Sequence, residues 1–199
     1  GSRIGNPSLG AETSFSYEAG VDFFVSKKLK IATTLFQRHH SDLIDWVRTS
    51  YANMPRQINL VPTASYDLAK NISRVNTLGF EADVQYTHAF AEQHTLAGGL
   101  GFISMRSNSS DTLPSLYVSN HARELINFFI NYRYKIIGIN FNGLYKNRNT
   151  PAITPAGIVP LSRSYFLLNM RIDAILNKNV TCFVQADNVF NKSYSDILG

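Results

Sequence analysis

The chain has 199 residues, with 19 lysines and arginines against 14 aspartates and glutamates, and a formal net charge of +5. Aromatic residues make up 12% and charged residues only 17%, a composition that disfavours disorder, which needs few aromatics and high charge. A single cysteine excludes an intrachain disulfide framework and a cysteine-rich zinc site. The sequence contains no apolar run of about 18 residues and so predicts no transmembrane helix. Its polar opening does not resemble a signal peptide, and we expect either a remnant of an added tag or an internal cut within a longer chain.

Alternating side chains predict a series of β-strands. Over residues 15–25 the odd positions are apolar, and the even positions are polar or glycine except for Phe24. A period of two places these sets on opposite faces of a strand. The same alternation recurs over residues 29–38, 78–86, 95–105, 126–134, 137–146, 166–174 and 180–187. The sequence therefore predicts eight strands of about ten residues and no helix.

The connections between these strands alternate strictly between short and long. Tight turns are predicted at 26–28, 91–94, 135–136 and 177–178, and long segments at 41–73, 106–123 and 147–163. An antiparallel meander puts successive connections at opposite ends of the strands. One end therefore carries the short turns and the other carries the long connections. Transmembrane β-barrels have this asymmetry, and a tilted strand of about 9–11 residues crosses a bilayer.

The prediction is an all-β fold, an antiparallel up-and-down meander of about eight long strands that forms a section of a transmembrane β-barrel. Aromatic residues near strand ends fit the girdles at membrane interfaces; they are Tyr86, Phe90, Phe102, Tyr134, Tyr145 and Tyr165. Two alternatives remain open. A soluble β-sandwich binding module also alternates apolar and polar residues, although its strands average about 5–6 residues. A small closed outer-membrane barrel with a structural or adhesion role also has eight strands.

Four sequence motifs resemble those of TonB-dependent outer-membrane receptors. Residues 6–14 (NPSLGAETS) with 17–20 (YEAG) are similar to the lead-in to the late barrel strands of that family. Residues 41–45 (SDLID) resemble the outer end of the strand that follows. Residues 76–82 (NTLGFEA) and 186–194 (ADNVFNKSY) resemble two later strand motifs. The motifs span nearly the whole chain in the family's order.

The resemblance implies that residues 1–199 are a partial receptor barrel, with the plug domain, the N-terminal strands and the closing strand outside the chain. The parent protein would lie in the bacterial outer membrane and import a scarce, large ligand with energy from TonB. The ligand would be a ferric siderophore, cobalamin or haem, and the motif spacing is closest to siderophore and cobalamin receptors. The implied partners are outer-membrane lipid, the plug, the TonB complex and the ligand, with no cofactor and no enzymatic activity.

Two groups of residues are candidates for these contacts. Tyrosine and asparagine are adaptable binding residues, and the long connections supply the candidates for ligand contact: Tyr51, Asn53, Met54, Arg56, Tyr117, Asn120, Asn149 and Thr150. Charged residues on the polar strand face are the candidates for contact with a plug: Glu81, Asp83, Arg133, Arg171 and Asp173.

Other chemistry finds little support in the sequence. His39 and His40, with nearby Asp42 and Asp45, have metal-ligand residue types, but adjacent strand residues point to opposite faces, so we predict no metal site. Cys182 is predicted to pack as a small apolar residue. The basic residues are scattered, which argues against nucleic acid and favours anionic headgroups or an acidic plug surface. Unpaired strand edges predict that the isolated chain associates with itself.

Overall fold

The computed structural model describes residues 3–109, 122–148, 153–154, 157–158 and 162–196. The strands are β1 (Arg3–Ile4), β2 (Thr13–Ser26), β3 (Leu29–Ser50), β4 (Ser65–Phe90), β5 (His94–Ser109), β6 (Glu124–Tyr134), β7 (Ile137–Asn147), β8 (Ile153–Thr154), β9 (Gly157–Ile158), β10 (Ser164–Asn177) and β11 (Val180–Ala186). One 3-10 turn covers Tyr51–Asn53. Within the described ranges, no helix is long and apolar enough to cross a membrane.

Eight long strands form one antiparallel meander. Their order in the sheet is β11-β10-β7-β6-β5-β4-β3-β2, and short β1 adds to β4 in parallel. Strands β8 and β9 pair separately as a small hairpin. The predicted all-β fold and all eight predicted strands are confirmed. The described sheet is open, because β2 and β11 are its two edge strands and do not pair with each other. It is therefore not a small closed barrel.

The predicted long loop over residues 41–73 is wrong. Strands β3 and β4 stay paired from Leu29 opposite Tyr86 to Ser50 opposite Ser65, which leaves only residues 51–64 as the connection. At about 3.3 Å per residue, the 22 residues of β3 reach about 70 Å, whereas the hydrocarbon core of a bilayer is about 30 Å thick. The hairpin is therefore longer than a strand that only crosses a bilayer, which needs about 9–11 residues when tilted.

The two faces of this hairpin exchange near Asp42, and this exchange conceals the outer strands from a sequence pattern. Leu43, Val47, Ile72 and Val75 form one buried cluster, although Ile72 and Val75 are three residues apart and strict alternation would put them on opposite faces. Asp42 has a φ of 54°, a left-handed conformation that aspartate adopts more readily than most residues. A continuous period of two therefore cannot be followed through this point.

The inner part of the sheet is the part between the short turns and the level of Asp42. It has one apolar face and one polar face. The apolar face contains the odd positions of β2 and inner β3, and the even positions of inner β4, β5, β6, β10 and β11, with the odd positions of β7. Many of its side chains are open, including Phe15 at 67% and Val184 at 76% exposure. A continuous apolar surface of this kind marks a contact with protein or membrane, and barrel strands present one to lipid.

Cys182 lies on this apolar face, opposite Ala174, but it is exposed. The predicted packing of Cys182 is therefore wrong within this chain. It lies on β11, an edge strand of the sheet, where the apolar face has no covering layer among the described residues.

Aromatic rings cover several glycines across the sheet. Phe36 lies opposite Gly79, and a Cβ added to Gly79 would overlap the Phe36 ring. Phe128 covers Gly143 in the same way, on the apolar face. A ring packed over a glycine shields its backbone from water and holds adjacent strands in register.

Candidate functional site

A cavity of about 510 Å³ lies on the polar face, where β6, β7, β10 and β11 adjoin. Its polar lining consists of Asn131, Arg133, Asn140, Asn142, Asn169, Arg171, Asp173, Thr181, Gln185 and Asp187. Its polar side chains come from alternate positions of these strands, because the period of two brings one set of side chains to one side. The result is a wall of amides with a few charges.

An ion pair spans three strands in this wall. Arg133 of β6, Gly138 of β7 and Asp173 of β10 share one register position. Arg133 Nη2 donates to Asp173 Oδ2 at 2.8 Å, across the space above Gly138. Asn140 Nδ2 donates to the other carboxylate oxygen at 3.0 Å. Asp173 is only 7% exposed. Both of its carboxylate oxygens nevertheless have hydrogen-bond partners, which the sheet holds in place.

Arg171 lines the same cavity but makes a different contact. Its guanidinium lies 3.9 Å from the centre of the Phe183 ring on β11, a cation–π distance. The planar group is therefore held against the wall. Of the five charged residues predicted to face a plug, the structure brings Arg133, Arg171 and Asp173 together here.

Glu81 and Asp83 line a second cavity of about 240 Å³ on the same face, between β3 and β6. Glu81 lies opposite Thr34, and Asp83 lies opposite Ala32. Gln85 donates to Asp83 at 2.8 Å. These two carboxylates are therefore separated along the sheet from the Arg133 cavity.

The polar face is close to neutral in charge. Its acids are Glu18, Asp22, Glu81, Asp83, Asp173 and Asp187, and its bases are Lys30, Arg38, Arg133, Lys146 and Arg171. Six acids against five bases leave a balance of −1 on this face. Since the net charge is +5, the rest of the chain carries a balance of +6.

The first group of predicted ligand contacts lies on the connection between β3 and β4. Tyr51 and Asn53 belong to the 3-10 turn, where the Met54 backbone donates to the Tyr51 carbonyl at 3.1 Å. Asn53 and Arg56 are exposed. Met54 is only 6% exposed and is therefore the least available of the four to a ligand. Tyr117, Asn120, Asn149 and Thr150 lie outside the described residues.

A second polar cluster, which the sequence did not reveal, lies at the end of the sheet that carries the long connections. Asp196 accepts a hydrogen bond from Lys146 Nζ at 2.9 Å and is paired with Arg148, whose side chain is fully buried. Tyr165 stacks on Tyr194 with ring centres 4.6 Å apart. Lys146 and Asp196 are 50 residues apart, so no local motif could reveal the contact.

The position of Tyr165 also corrects a prediction. It lies opposite Lys146 on the polar side of the sheet and is only 5% exposed. It therefore cannot serve as a girdle residue at the membrane surface. Tyr86, Phe90 and Tyr134 do lie on the apolar face, at the end with the short turns.

The charge of Asp196 depends on this cluster. Burial by itself would raise the pKa of its carboxyl, but hydrogen bonds from Lys146 and Tyr165 and the positive charges of Lys146 and Arg148 hold that pKa below its ordinary value. Asp196 is therefore ionised at neutral pH and ties the segment after β11 to β7.

The lead-in motif fastens the N-terminal segment to the long hairpin. Gly10 N–H donates to Asn71 Oδ1 at 2.9 Å, and Asn71 Nδ2 donates back to the Gly10 carbonyl at 3.0 Å. Glu12 accepts from the Ile44 backbone N–H at 3.1 Å. The glycine and the glutamate of NPSLGAETS thus have structural partners on β4 and β3.

The predicted lack of a metal site stays a prediction. His39 Nδ1 and Asn76 Oδ1 are 2.7 Å apart, so this imidazole has a partner on β4. Within the part of the chain that the structure describes, no group of three or more histidines, cysteines, aspartates or glutamates is arranged to hold a metal ion.

Comparison with known proteins identifies a family. The family model described as "TonB dependent receptor-like, beta-barrel" matches residues 1–189. None of the curated proteins compared with the sequence matches it. Several solved structures match the fold. The copper transporter OprC is 14% identical, with a TM-score of 0.68 over 96% of this chain and 28% of that chain.

Two further structures give the same result. The FrpB iron transporter from Neisseria meningitidis (F3-3 variant) is 16% identical, with a TM-score of 0.63 over 96% of this chain and 29% of that chain. The ferripyoverdine receptor of the Pseudomonas aeruginosa outer membrane, bound to ferripyoverdine, is 15% identical, with a TM-score of 0.61 over 94% of this chain and 24% of that chain. This chain thus spans about a quarter of the length of the structures that it matches.

Proposed function

Because the chain belongs to the TonB-dependent receptor β-barrel family, we propose that it forms one wall of an outer-membrane active transporter that imports a scarce, large ligand with energy supplied through TonB. Barrels of this family lie in the bacterial outer membrane, and its members are transporters rather than enzymes. The predicted family, location and lack of enzymatic activity are therefore confirmed.

One observation carries the proposal: eight strands with an apolar and a polar face, joined by short turns at one end and long connections at the other. The apolar face suits lipid and the polar face suits a hydrated interior. The similar structures are named for copper, iron and ferripyoverdine, which supports a metal-bearing ligand here. We propose a ferric siderophore, cobalamin or haem.

Uptake by cells tests the transport proposal. A strain that lacks the full-length protein would be compared with the complemented strain for uptake of labelled ferric siderophores, cobalamin and haem. We expect one of these ligands to accumulate only in the complemented strain, and a protonophore or loss of TonB to abolish its accumulation. Equal uptake of every ligand in both strains would refute the proposal.

Residues on the connection between β3 and β4 are proposed to touch this ligand. Tyr51, Asn53 and Arg56 are the available side chains there. We expect the Asn53→Ala, Arg56→Ala double variant to lower ligand affinity about ten-fold. Ile58→Ala, a change of a 66%-exposed side chain on the same connection, is the matched control. Equal affinity in the two variants would remove this connection from the binding site.

The polar face is proposed to face a plug domain, with Glu81, Asp83, Arg133, Arg171 and Asp173 in a hydrated interface. Such an interface would let a plug move without exposing apolar surface. In the full-length protein with all native cysteines, including Cys182, replaced by serine, Glu81→Cys should react slowly with a water-soluble maleimide and faster after removal of the plug. Ile130→Cys, on the apolar face, should not respond to plug removal. An unchanged rate at residue 81 would contradict the assignment.

A further inference from the structure

Lysines are concentrated in the short turns at one end of the sheet. The four turns, at residues 27–28, 91–93, 135–136 and 178–179, contain Lys27, Lys28, Lys135 and Lys178 against one acid, Glu92. All four lysines are exposed. Four positive charges against one negative charge contrast with the near-neutral polar face between the ends of the strands.

Aromatic and histidine rings form a continuous belt on the apolar face of β4, β5 and β6, next to the turns at 91–93 and 135–136. The belt consists of Tyr86, His88, Phe90, His94, Tyr132 and Tyr134. The His94 ring stacks on Tyr134 at 4.5 Å and on Phe90 at 5.4 Å. His94 Nδ1 lies 2.7 Å from the Tyr132 hydroxyl. Rings with one apolar side and one polar atom suit the boundary between acyl chains and headgroups.

Two of the turn lysines are held against this belt. Lys28 Nζ lies 3.4 Å from His88 Nε2, and Lys135 Nζ lies 5.3 Å from the centre of the Tyr134 ring. Their ammonium groups therefore lie next to the rings while the side chains stay exposed. A phosphate that lay at the level of the rings would meet positive charge there.

From this arrangement we propose that the belt and the turn lysines bind the headgroups of anionic glycerophospholipids in the leaflet that faces the periplasm. Short turns of outer-membrane barrels lie on the periplasmic side, which assigns the surface to that leaflet. The phosphodiester accepts from the ammonium groups, and the rings contact the glycerol and the first methylenes. The inference rests on the proposed membrane placement and not on the ligand or on TonB.

Charge complementarity selects an anionic lipid. A zwitterionic headgroup brings its own cation to the surface and gains little from four lysines, whereas phosphatidylglycerol carries a net negative charge. Each lysine near an anionic surface changes affinity by about five-fold at physiological salt, and the effect falls off within a Debye length. Preference for the anionic lipid should therefore weaken as salt is raised.

Lipid retention by the full-length protein tests the proposal. The protein in a non-ionic detergent is mixed with phosphatidylglycerol or phosphatidylcholine, and bound lipids are counted by native mass spectrometry. We expect a preference for phosphatidylglycerol. In the Lys27→Gln, Lys28→Gln, Lys135→Gln, Lys178→Gln variant, affinity for phosphatidylglycerol should fall by roughly ten-fold or more, with phosphatidylcholine unchanged.

Lys192→Gln is the control for charge, because Lys192 is exposed but lies beyond β11 near the opposite end of β10. Replacement of the same four lysines by arginine should keep the preference, which separates charge from fold. Equal retention of both lipids by the unaltered protein, or no loss in the glutamine variant, would overturn the proposal. A protein that fails in uptake but keeps the lipid preference would refute the transport proposal alone.

Discussion

Phe36 lies across the backbone of Gly79, and this single contact explains why the motif NTLGFEA contains a glycine. The two residues face each other on β3 and β4, and a Cβ at residue 79 would overlap the ring. The ring in turn occupies space that any side chain at residue 79 would fill. The glycine is thus required by packing, and its φ is not among the positive values in the chain.

We expect Gly79→Ala to lower the free energy of unfolding by about 1–3 kcal/mol, the usual cost of an extra methyl group in a packed site. Urea unfolding of the full-length protein in detergent micelles would measure the change. Gly10→Ala is the control, because a Cβ there would meet its nearest neighbour at an ordinary 3.8 Å. Equal stability of the two variants would show that Phe36 can move aside freely.

Asp173 is expected to matter more than a similar carboxylate elsewhere on the same face. Asp173→Asn removes the charge that accepts from Arg133 and Asn140 and should cost about 1–3 kcal/mol. Asp22→Asn breaks the exposed pair with Lys30 and should cost about 0–1 kcal/mol. Both values are measurable by urea unfolding, and a smaller cost at residue 173 than at residue 22 would contradict a role for the part-buried network around Asp173.

Asp196 predicts a specific pH dependence. The pKa of its carboxyl is held below its ordinary value of 3.8, so ionised Asp196 stabilises the folded state above pH 3.8, and this stabilisation is lost as the pH falls below that value. The hydrogen-exchange protection factors of residues 190–196, which correct for the slower intrinsic exchange of amides in acid, should therefore fall on acidification. Asp196→Asn should exchange fast at neutral pH and respond less to acid. A variant with the same acid response as the unaltered protein would exclude Asp196 as the titrating group.

Among the elements, the hairpin of β3 and β4 is the one that departs from the expected strand length. Its inner part has the lipid-type alternation, and its outer part, beyond Asp42, buries Leu43, Val47 and Ile72 instead. Alternating apolar and polar residues predict a membrane strand only where one face of the strand contacts lipid. Outside the bilayer that constraint disappears, and for this reason the outer ladder was predicted as a loop.

Thiol labelling would locate the point where the hairpin leaves the bilayer. With all native cysteines, including Cys182, replaced by serine, a membrane-impermeant maleimide should react with Ile44→Cys in intact outer membranes and leave Leu35→Cys unreacted. Both side chains are exposed within the described sheet, so we expect lipid to be what protects residue 35. Both positions should react after denaturation. Reaction at residue 35 in intact membranes would place that part of β3 in water.

The elements that were predictable share a cause. Eight strands could be located because alternation, tight turns and strand length agree over each of them. The cluster of Lys146, Arg148 and Asp196 could not be predicted, because its members come together only when β7, β10 and the segment after β11 are adjacent. The prediction of Tyr165 as a girdle residue is wrong for a related reason, since an aromatic near a strand end suits either face of the sheet.

For the whole molecule, the open edges are the dominant feature. Strands β2 and β11 are the two edge strands of the sheet, and unpaired strand edges promote pairing with another chain. We propose that in the full-length protein they pair with further strands of a larger barrel. The isolated 199-residue chain should then form oligomers in detergent, measurable by light scattering after size exclusion. A monodisperse monomer would contradict this expectation.

The charge distribution of the whole molecule could be predicted only in part. The sequence gives a net charge of +5 and shows no basic cluster, because Lys27, Lys135 and Lys178 are far apart along the chain. The meander places their turns at one end of the sheet. A charged surface assembled in this way can be recognised only after the strand order is known.

The ion pair of Arg133 and Asp173 also has a mechanical consequence. Neighbouring strands resist sliding through the ladder between them, but this pair connects β6 to β10 across β7 and so resists sliding of three strands at once. If a plug is pulled along the polar face, the resulting shear acts parallel to the strands, at the surface where this brace lies. The wall can then stay rigid while whatever is seated against it moves.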